Sequence, residues 1–410
     1  MSDYDLYELP NGIRVLHKQV VHTKIAHLGF LLDIGSRDEK PAQQGLAHFW
    51  EHMAFKGTAK RKSFHILNRL ETVGGELNAY TTKEKICFYA SLLSTHFERA
   101  FELLTDLTFN SVFPEKEIEK ERGVILEEMS MYQDTPEDAI IDDFDDVVFA
   151  KHTLGHNILG TRESVSSFQQ ADFQQFLAEN VRTDRLVFST VSNLPFSEVK
   201  RLADKYLAPL PAQLGARPRT PFSGYQRVHQ LERKPITQAH CLIGGPAYAI
   251  EDPRRIPFFL LNNLLGGPGM NSRLNLAVRE KYGLVYTIDS TYSPYTDTGL
   301  FGIYFGTEKK QVNRTVSLVQ KELRKLREQS LGTAQLHTTK EQLMGQMAMA
   351  EESNGGMMQL LAKSTLDLGR VESINEIFDR VRAITASELL EMANEVLTDD
   401  NLSVLQYVPE

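Results

Sequence analysis

The chain predicts an α+β protein made of two homologous α/β-sandwich domains related by internal duplication. Three observations lead there. At 410 residues the chain exceeds one ordinary core, and its length favours two or three domains. Near the midpoint, "APLPAQLGARPRTPFSG" clusters Pro209, Pro211, Pro218 and Pro221 with two glycines, a composition that excludes regular helix and central strand. The two halves then match in order. "KIAHLGFLLDIGSRDE" pairs with "TQAHCLIGGPAYAIED", "EKERGVILEEM" with "TTKEQLMGQM", and "FLAENVRTDRLVFSTV" with "EMANEVLTDDNLSVLQYV", at offsets of 213, 218 and 215 residues. Similarity at a nearly constant offset is the mark of a repeated unit.

The expected organisation is a first domain over 1–210, a linker over 211–224 and a second domain over 225–410. Each repeat should contain early strands, a run of helices, and a helix feeding a last strand. Cys87 and Cys241 sit in the strand-like runs "KICFYASLL" and "AHCLIGG". Two cysteines make no disulfide framework, so both are expected buried and reduced.

Hydrophobic residues make up 41% and charged residues 24%, the proportions of a soluble globular protein. A net charge of −9 argues against nucleic acid as a partner. The start, "MSDYDLYELPNGIRVL", has neither a basic n-region nor an apolar h-region. No apolar run reaches the roughly 18 residues a membrane span needs. A cytoplasmic location is the expectation, or a periplasmic one if a leading segment was trimmed.

In "GLAHFWEHMAFKGT" (Gly45 to Thr58) two histidines and a glutamate fall within five residues. On a helix at about 100° per residue, Leu46, Phe49, Trp50 and Met53 form an apolar stripe that can pack on a core. His48, Glu51 and His52 gather on the opposite side. Imidazoles one turn apart can converge on one zinc ion, with bonds of about 2 Å. The helix should end at Gly57.

An open zinc site needs a third protein ligand. "PEKEIEKERGVILEEMSMYQ" (Pro114 to Gln133) reads as a helix with Pro114 in its first turn and Ile118, Ile125, Met129 and Tyr132 as its core stripe. Glu121 and Glu128 share one edge, and Glu127 points to solvent. At 1.5 Å per residue the two lie about 10 Å apart along the axis, so both are not expected to bind one ion. Spacing alone does not choose between them.

Further on, "NNLLGGPGMNSRL" is glycine-rich but lacks the G-K-[ST] ending of a phosphate loop. It reads instead as a flexible loop over substrate. The acidic run "EMSMYQDTPEDAIIDDFDDVV" reads as a solvated face. The second repeat has no counterpart of His48, Glu51 or His52, and Gln346 stands where Glu128 stands in the first.

H-x-x-E-H is the inverzincin motif. Together with "NGIRVL", "IGSRDE", "GGELNAYTTKE" and "EKERGVILEEM", it resembles the pitrilysin/insulinase family of zinc metallopeptidases over essentially the whole chain. In pattern it is most similar to the catalytic subunit of the mitochondrial processing peptidase and its bacterial homologues. The resemblance implies Zn2+ bound by His48, His52 and Glu128, with Glu51 as general base and Glu121 supporting the site from beside it. It implies that Asn78 and Ala79 lie on a substrate-contacting edge strand. Arg279 and Tyr286, in "REKYGLVY", would reach the substrate and the developing oxyanion. The expected activity is endoproteolysis of peptides or unfolded segments in a chamber. The half-length chain implies a homodimer in which Arg279 and Tyr286 of one chain complete the other's site. The alternative reading is a non-catalytic structural or assembly subunit of the same fold.

Overall fold

The computed structural model describes residues 4–216 and 219–410. Pro218, in the expected linker, and residues 1–3, at the start inspected for a leader, lie outside the described residues. In chain order the elements are β1 (Asp5–Glu8), β2 (Arg14–Gln19), β3 (Ile25–Leu32), α1 (Leu46–Ala54), α2 (Ser63–Glu71), β4 (Glu76–Thr81) and β5 (Ile86–Leu93). Then come α3 (Phe97–Asn110), α4 (Glu115–Asp134), α5 (Pro136–Val148), α6 (Arg162–Ser167), α7 (Gln170–Asn180), β6 (Leu186–Ser192) and α8 (Phe196–Tyr206). The second repeat has β7 (His229–Lys234), β8 (Ala239–Ala247), α9 (Arg255–Gly266), β9 (Val285–Pro294), β10 (Gly299–Thr307), α10 (Val312–Glu328) and α11 (Thr333–Glu351). It closes with α12 (Asn354–Leu368), α13 (Ile374–Ala383), α14 (Ala386–Val396) and β11 (Ser403–Pro409).

Among the described residues there are two sheets, ordered β1-β2-β6-β3-β5-β4 and β7-β11-β8-β10-β9. Apart from β1 the orders correspond strand for strand. The one parallel pair of each, β2 with β6 and β7 with β11, falls at the same place. Registers agree too: Asn78 lies opposite Tyr89 in the first sheet and Asp289 opposite Tyr304 in the second. The duplication read from the sequence is therefore present in three dimensions.

The chain divides into two compact units. One comprises 1–129, 156–219 and 350–373, and the other 130–155, 220–349 and 374–410. These units depart from the contiguous halves expected at 1–210 and 225–410, because each includes a helix from the other repeat. In the first unit, Met357, Met358, Leu361 and Ala362 of α12 are buried with Leu16, Leu31, Cys87 and Val187 of the sheet. In the second, Ile140, Phe144 and Val148 of α5 are buried with Leu242, Leu405 and Tyr407. A sheet with helices on one face still has a second apolar face to bury. An amphipathic helix does not encode locally which sheet it will cover.

On its other face the first sheet carries the main core, where Phe30, Trp50, Phe88, Phe101 and Phe188 are fully buried. Each such side chain contributes roughly 1.5–3 kcal/mol by leaving water. Charges fasten α12 in place as well. The Lys85 ammonium lies 3.0 Å from Asp33 and 2.8 Å from Asp367 of α12. Arg219, within the proline cluster, lies 3.1 Å from Asp33 and 2.8 Å from Asp38.

Cys87 in β5 and Cys241 in β8 are buried and free, and burial pushes both thiols up to about 12. Tyr132 departs from its expected place in the α4 core stripe and is 39% exposed. The stripe of Ile118, Ile125 and Met129 is buried as expected, and it ends one turn before Tyr132.

Candidate metal centre

α1 begins at Gly45, whose φ of +92° lies in the left-handed region that glycine tolerates. A Cβ there would also sit 2.4 Å from the Leu159 carbonyl oxygen. From this start the apolar stripe Leu46, Phe49, Trp50 and Met53 is buried. The opposite side carries His48, Glu51 and His52. α1 ends at Ala54, and Gly57, the expected stop, lies beyond it in a bridge to Lys62.

α4 brings Glu128 to this face. One ligand atom from each of His48, His52 and Glu128 lies within 4.8 Å of the others. His48 Nε2 is 3.9 Å from Glu128 Oε1, and His52 Nε2 is 3.6 Å from Glu128 Oε2. Tetrahedral zinc ligands at bonds of about 2 Å stand about 3.3 Å apart, so the three groups fit such an ion with a small contraction. The imidazoles pack edge to face at 4.6 Å between centroids.

The protonation pattern suits the same ion. His52 Nδ1 lies 3.0 Å from Glu121 Oε1, a bond that places the ring proton on Nδ1 and frees Nε2 to ligate. Glu121 is also 2.6 Å from the Lys56 ammonium. Burial raises the Glu121 carboxyl, but the hydrogen bonds from His52 and Lys56 outweigh it and hold the group below its ordinary value. Burial, aided by the neighbouring His52, lowers His48 to about 3, which keeps its imidazole neutral, the form able to bind a metal. Burial also raises Glu128.

Glu51, on the same side of α1, reaches the end of β4. Its Oε2 accepts a 2.6 Å hydrogen bond from the Thr81 hydroxyl. Burial raises the Glu51 carboxyl above its ordinary value, against the opposing effect of that hydrogen bond. The group is thus a carboxyl of raised basicity next to a metal-type cluster, as a general base requires.

Asn78 and Ala79 lie on β4, the last strand of its sheet. Asn78 is exposed and Ala79 half-buried, and among the described residues no strand covers the outer edge. Arg279 and Tyr286 belong to the second unit. Arg279 sits on a π-helical turn, Asn275–Glu280, with its guanidinium 5.8 Å from the Tyr286 ring centroid. Tyr286 is 83% exposed. The structure therefore groups His48, Glu51, His52, Glu121 and Glu128 in one cluster and pairs Arg279 with Tyr286 in the other unit.

Sequence reasoning passed over Lys56 and Thr81. Each had a signal: Lys56 lies one helical turn beyond His52, and Thr81 lies on the face of β4 that Ala79 shares. Neither signal says which carboxylate the side chain meets.

Comparison with known proteins places these features among relatives. Residues 14–162 match the insulinase family, peptidase family M16, and residues 167–343 match the peptidase M16 inactive domain. A protein of Bacillus subtilis described as an uncharacterized zinc protease, YmxG, is 33% identical over 96% of this chain and 96% of its own. One of Streptomyces coelicolor with the same description is 34% identical over 95% of this chain and 86% of its own. Among solved structures, a peptidase M16 inactive domain from Pseudomonas fluorescens aligns with a TM-score of 0.93 at 19% identity, over 100% of this chain and 98% of that one. A protease from Helicobacter pylori aligns at 0.90 with 20% identity, over 99% of each chain.

Proposed function

The chain belongs to the insulinase family of peptidases, M16, and is a zinc-dependent protease; we propose that it is an endopeptidase acting on peptides or unfolded segments, with Glu51 as general base. The observation that carries this reading is the meeting of His48, His52 and Glu128 beside a carboxylate, Glu51, that is not one of the three.

Zinc held by His48, His52 and Glu128 would supply Lewis-acid activation of water and of the scissile carbonyl. Glu51 takes the proton of the attacking water and later delivers it to the leaving amine. Thr81 holds the Glu51 carboxylate in place for both transfers. Glu121 fixes the ring orientation of His52, and Lys56 keeps Glu121 ionised. The open edge of β4 at Asn78 and Ala79 would take the substrate as an added strand through main-chain hydrogen bonds, which favours extended peptides over folded proteins.

The deciding experiment measures zinc content together with chelator-sensitive cleavage of an unfolded peptide, in the wild type and in Glu51→Gln. The amide keeps the size of the carboxylate but cannot accept the proton. We expect full zinc and a rate lower by roughly 10²-fold or more. Near-wild-type cleavage by zinc-loaded Glu51→Gln would remove Glu51 from this role. A wild type that binds zinc and cleaves no peptide would instead favour the structural or assembly reading, in which the site survives without catalysis.

A homodimer enclosing a peptide chamber is part of the same proposal. Its support is the family resemblance and the Arg279–Tyr286 pair, in which Tyr286 is exposed and Arg279 half-buried. A cytoplasmic location stands as a proposal too; among the described residues no helix is long and apolar enough to cross a membrane.

A further inference from the structure

The segment between β3 and α1 contains a buried carboxylate that the chemistry above leaves unused. Glu39 is 3% exposed. Its Oε2 accepts from the Gly45 N–H at 2.9 Å and its Oε1 from the Ala47 N–H at 2.7 Å. The first amides of a helix have no partner within it, and a Ser, Thr, Asp or Asn side chain at the N-cap commonly supplies one. At α1 the N-cap is Gly45, which has no side chain, and its positive φ and the nearby Leu159 carbonyl exclude a larger residue. The cap must come from elsewhere, and Glu39 provides it.

The same segment is bound to the turn that follows β4. The Ser36 N–H donates to the Thr82 carbonyl at 3.2 Å, and the Arg37 N–H to the Lys83 carbonyl at 2.8 Å. The Arg37 guanidinium meets Glu84 at 2.6 Å, with both side chains buried. Residues 36–39 thus form a bracket with one end on the β4–β5 turn and the other on the first turn of α1.

We propose that Glu39 is a positioning residue for the metal helix, holding the start of α1 at a fixed place relative to β4. That placement decides where His48 and His52 meet Glu128, and where Glu51 meets Thr81. Phe49, Trp50 and Met53 pack the middle of the helix into the core, and the two bonds to Glu39 fix its first turn to the bracket. The inference rests on the reading of His48, His52 and Glu128 as zinc ligands.

The test uses Glu39→Gln in the full chain, with two readouts besides activity: zinc affinity, and amide hydrogen exchange of the metal-free protein. Gln keeps one acceptor but turns an NH2 group towards an N–H. We expect zinc affinity to fall about 10–100-fold, the usual effect of losing support behind a ligand. Exchange should speed up in the first turn of α1 and stay unchanged in β3 and β6. Glu39→Asp, which retains both oxygens on a shorter stem, should recover part of the affinity. Should Glu39→Gln fail to fold, Arg37→Gln cuts the other end of the bracket and is read in the same two ways. Wild-type affinity with wild-type α1 exchange in a folded variant overturns the proposal. So does faster exchange in α1 and the sheet alike, which would mark Glu39 as a general stabiliser. If instead the His48→Ala variant keeps its zinc, the ligand assignment has failed, and the exchange readout still decides whether Glu39 caps α1.

Discussion

The Thr81 hydroxyl donates to Glu51 Oε2 across 2.6 Å, joining the last residue of an edge strand to the carboxylate proposed as general base. A hydrogen bond to a charged group is worth more than a neutral one, and here it fixes where the accepting oxygen lies. Thr81→Val keeps the shape and removes the donor. We expect kcat to fall about 10-fold, equivalent to about 1.4 kcal/mol, with zinc content and KM unchanged. Thr81→Ser should restore most of the rate. A Thr81→Val enzyme with wild-type kcat would show that Glu51 does not need this support.

Glu121 and Glu128, both on α4, should behave differently. Glu121 bonds His52 Nδ1, whereas Glu128 stands with the imidazoles in the ligand cluster. Glu128→Gln should empty the site under dialysis. Glu121→Gln should retain zinc with about 10–100-fold lower affinity or activity. Metal analysis after dialysis gives the answer, and the reverse pattern would exchange the two roles.

If the working unit is a homodimer with shared sites, two inactive chains should complement each other. Glu51→Gln and Tyr286→Phe chains are mixed under conditions in which subunits demonstrably exchange. One site of each mixed pair would then combine intact Glu51 with intact Tyr286, and part of the activity should return. No recovery despite exchange, or a strictly monomeric active enzyme, rules out the shared site.

Asp289 gives a pH-dependent prediction. Its carboxylate is half-buried, lies opposite Tyr304, and makes no hydrogen bond or ion pair with the described residues. Burial raises its pKa. The folded chain therefore holds that proton more tightly than the unfolded chain, where the value is about 3.9. The resulting stability is present below the unfolded value and is lost as pH rises through the folded one. Asp289→Asn, which installs the residue type found at Asn78, should raise the melting temperature at pH 7 to 8. That gain should shrink to nothing towards pH 3.5, and a gain independent of pH would refute the assignment.

Asp367 ties α12 to the first sheet through Lys85. Removing one partner of a buried ion pair typically costs about 3–5 kcal/mol. Lys85 would retain Asp33, so Asp367→Ala should fall at or below the lower end of that range. Denaturant unfolding checks it, and a change within about 0.5 kcal/mol would show that apolar packing alone holds α12.

The features that the sequence by itself determined are those set by local spacing or by repetition. His48, Glu51 and His52 share a face because i, i+3 and i+4 positions lie together on any helix. The duplication was legible because the two repeats keep their order, and the two sheets carry the same strand order in consequence. Tertiary structure decided what depends on residues distant in the chain. Glu121 and Glu128 are equivalent by spacing, and only the packing of α4 against α1 puts Glu128 with the imidazoles and Glu121 behind His52. Glu39 lies in an irregular segment without periodicity, and its role depends on a helix start several residues away. The exchange of α5 and α12 between repeats was hidden for the same reason. An apolar helical face specifies that it must be buried, whereas the complementary shape and charge of a distant sheet, as between Asp367 and Lys85, select where.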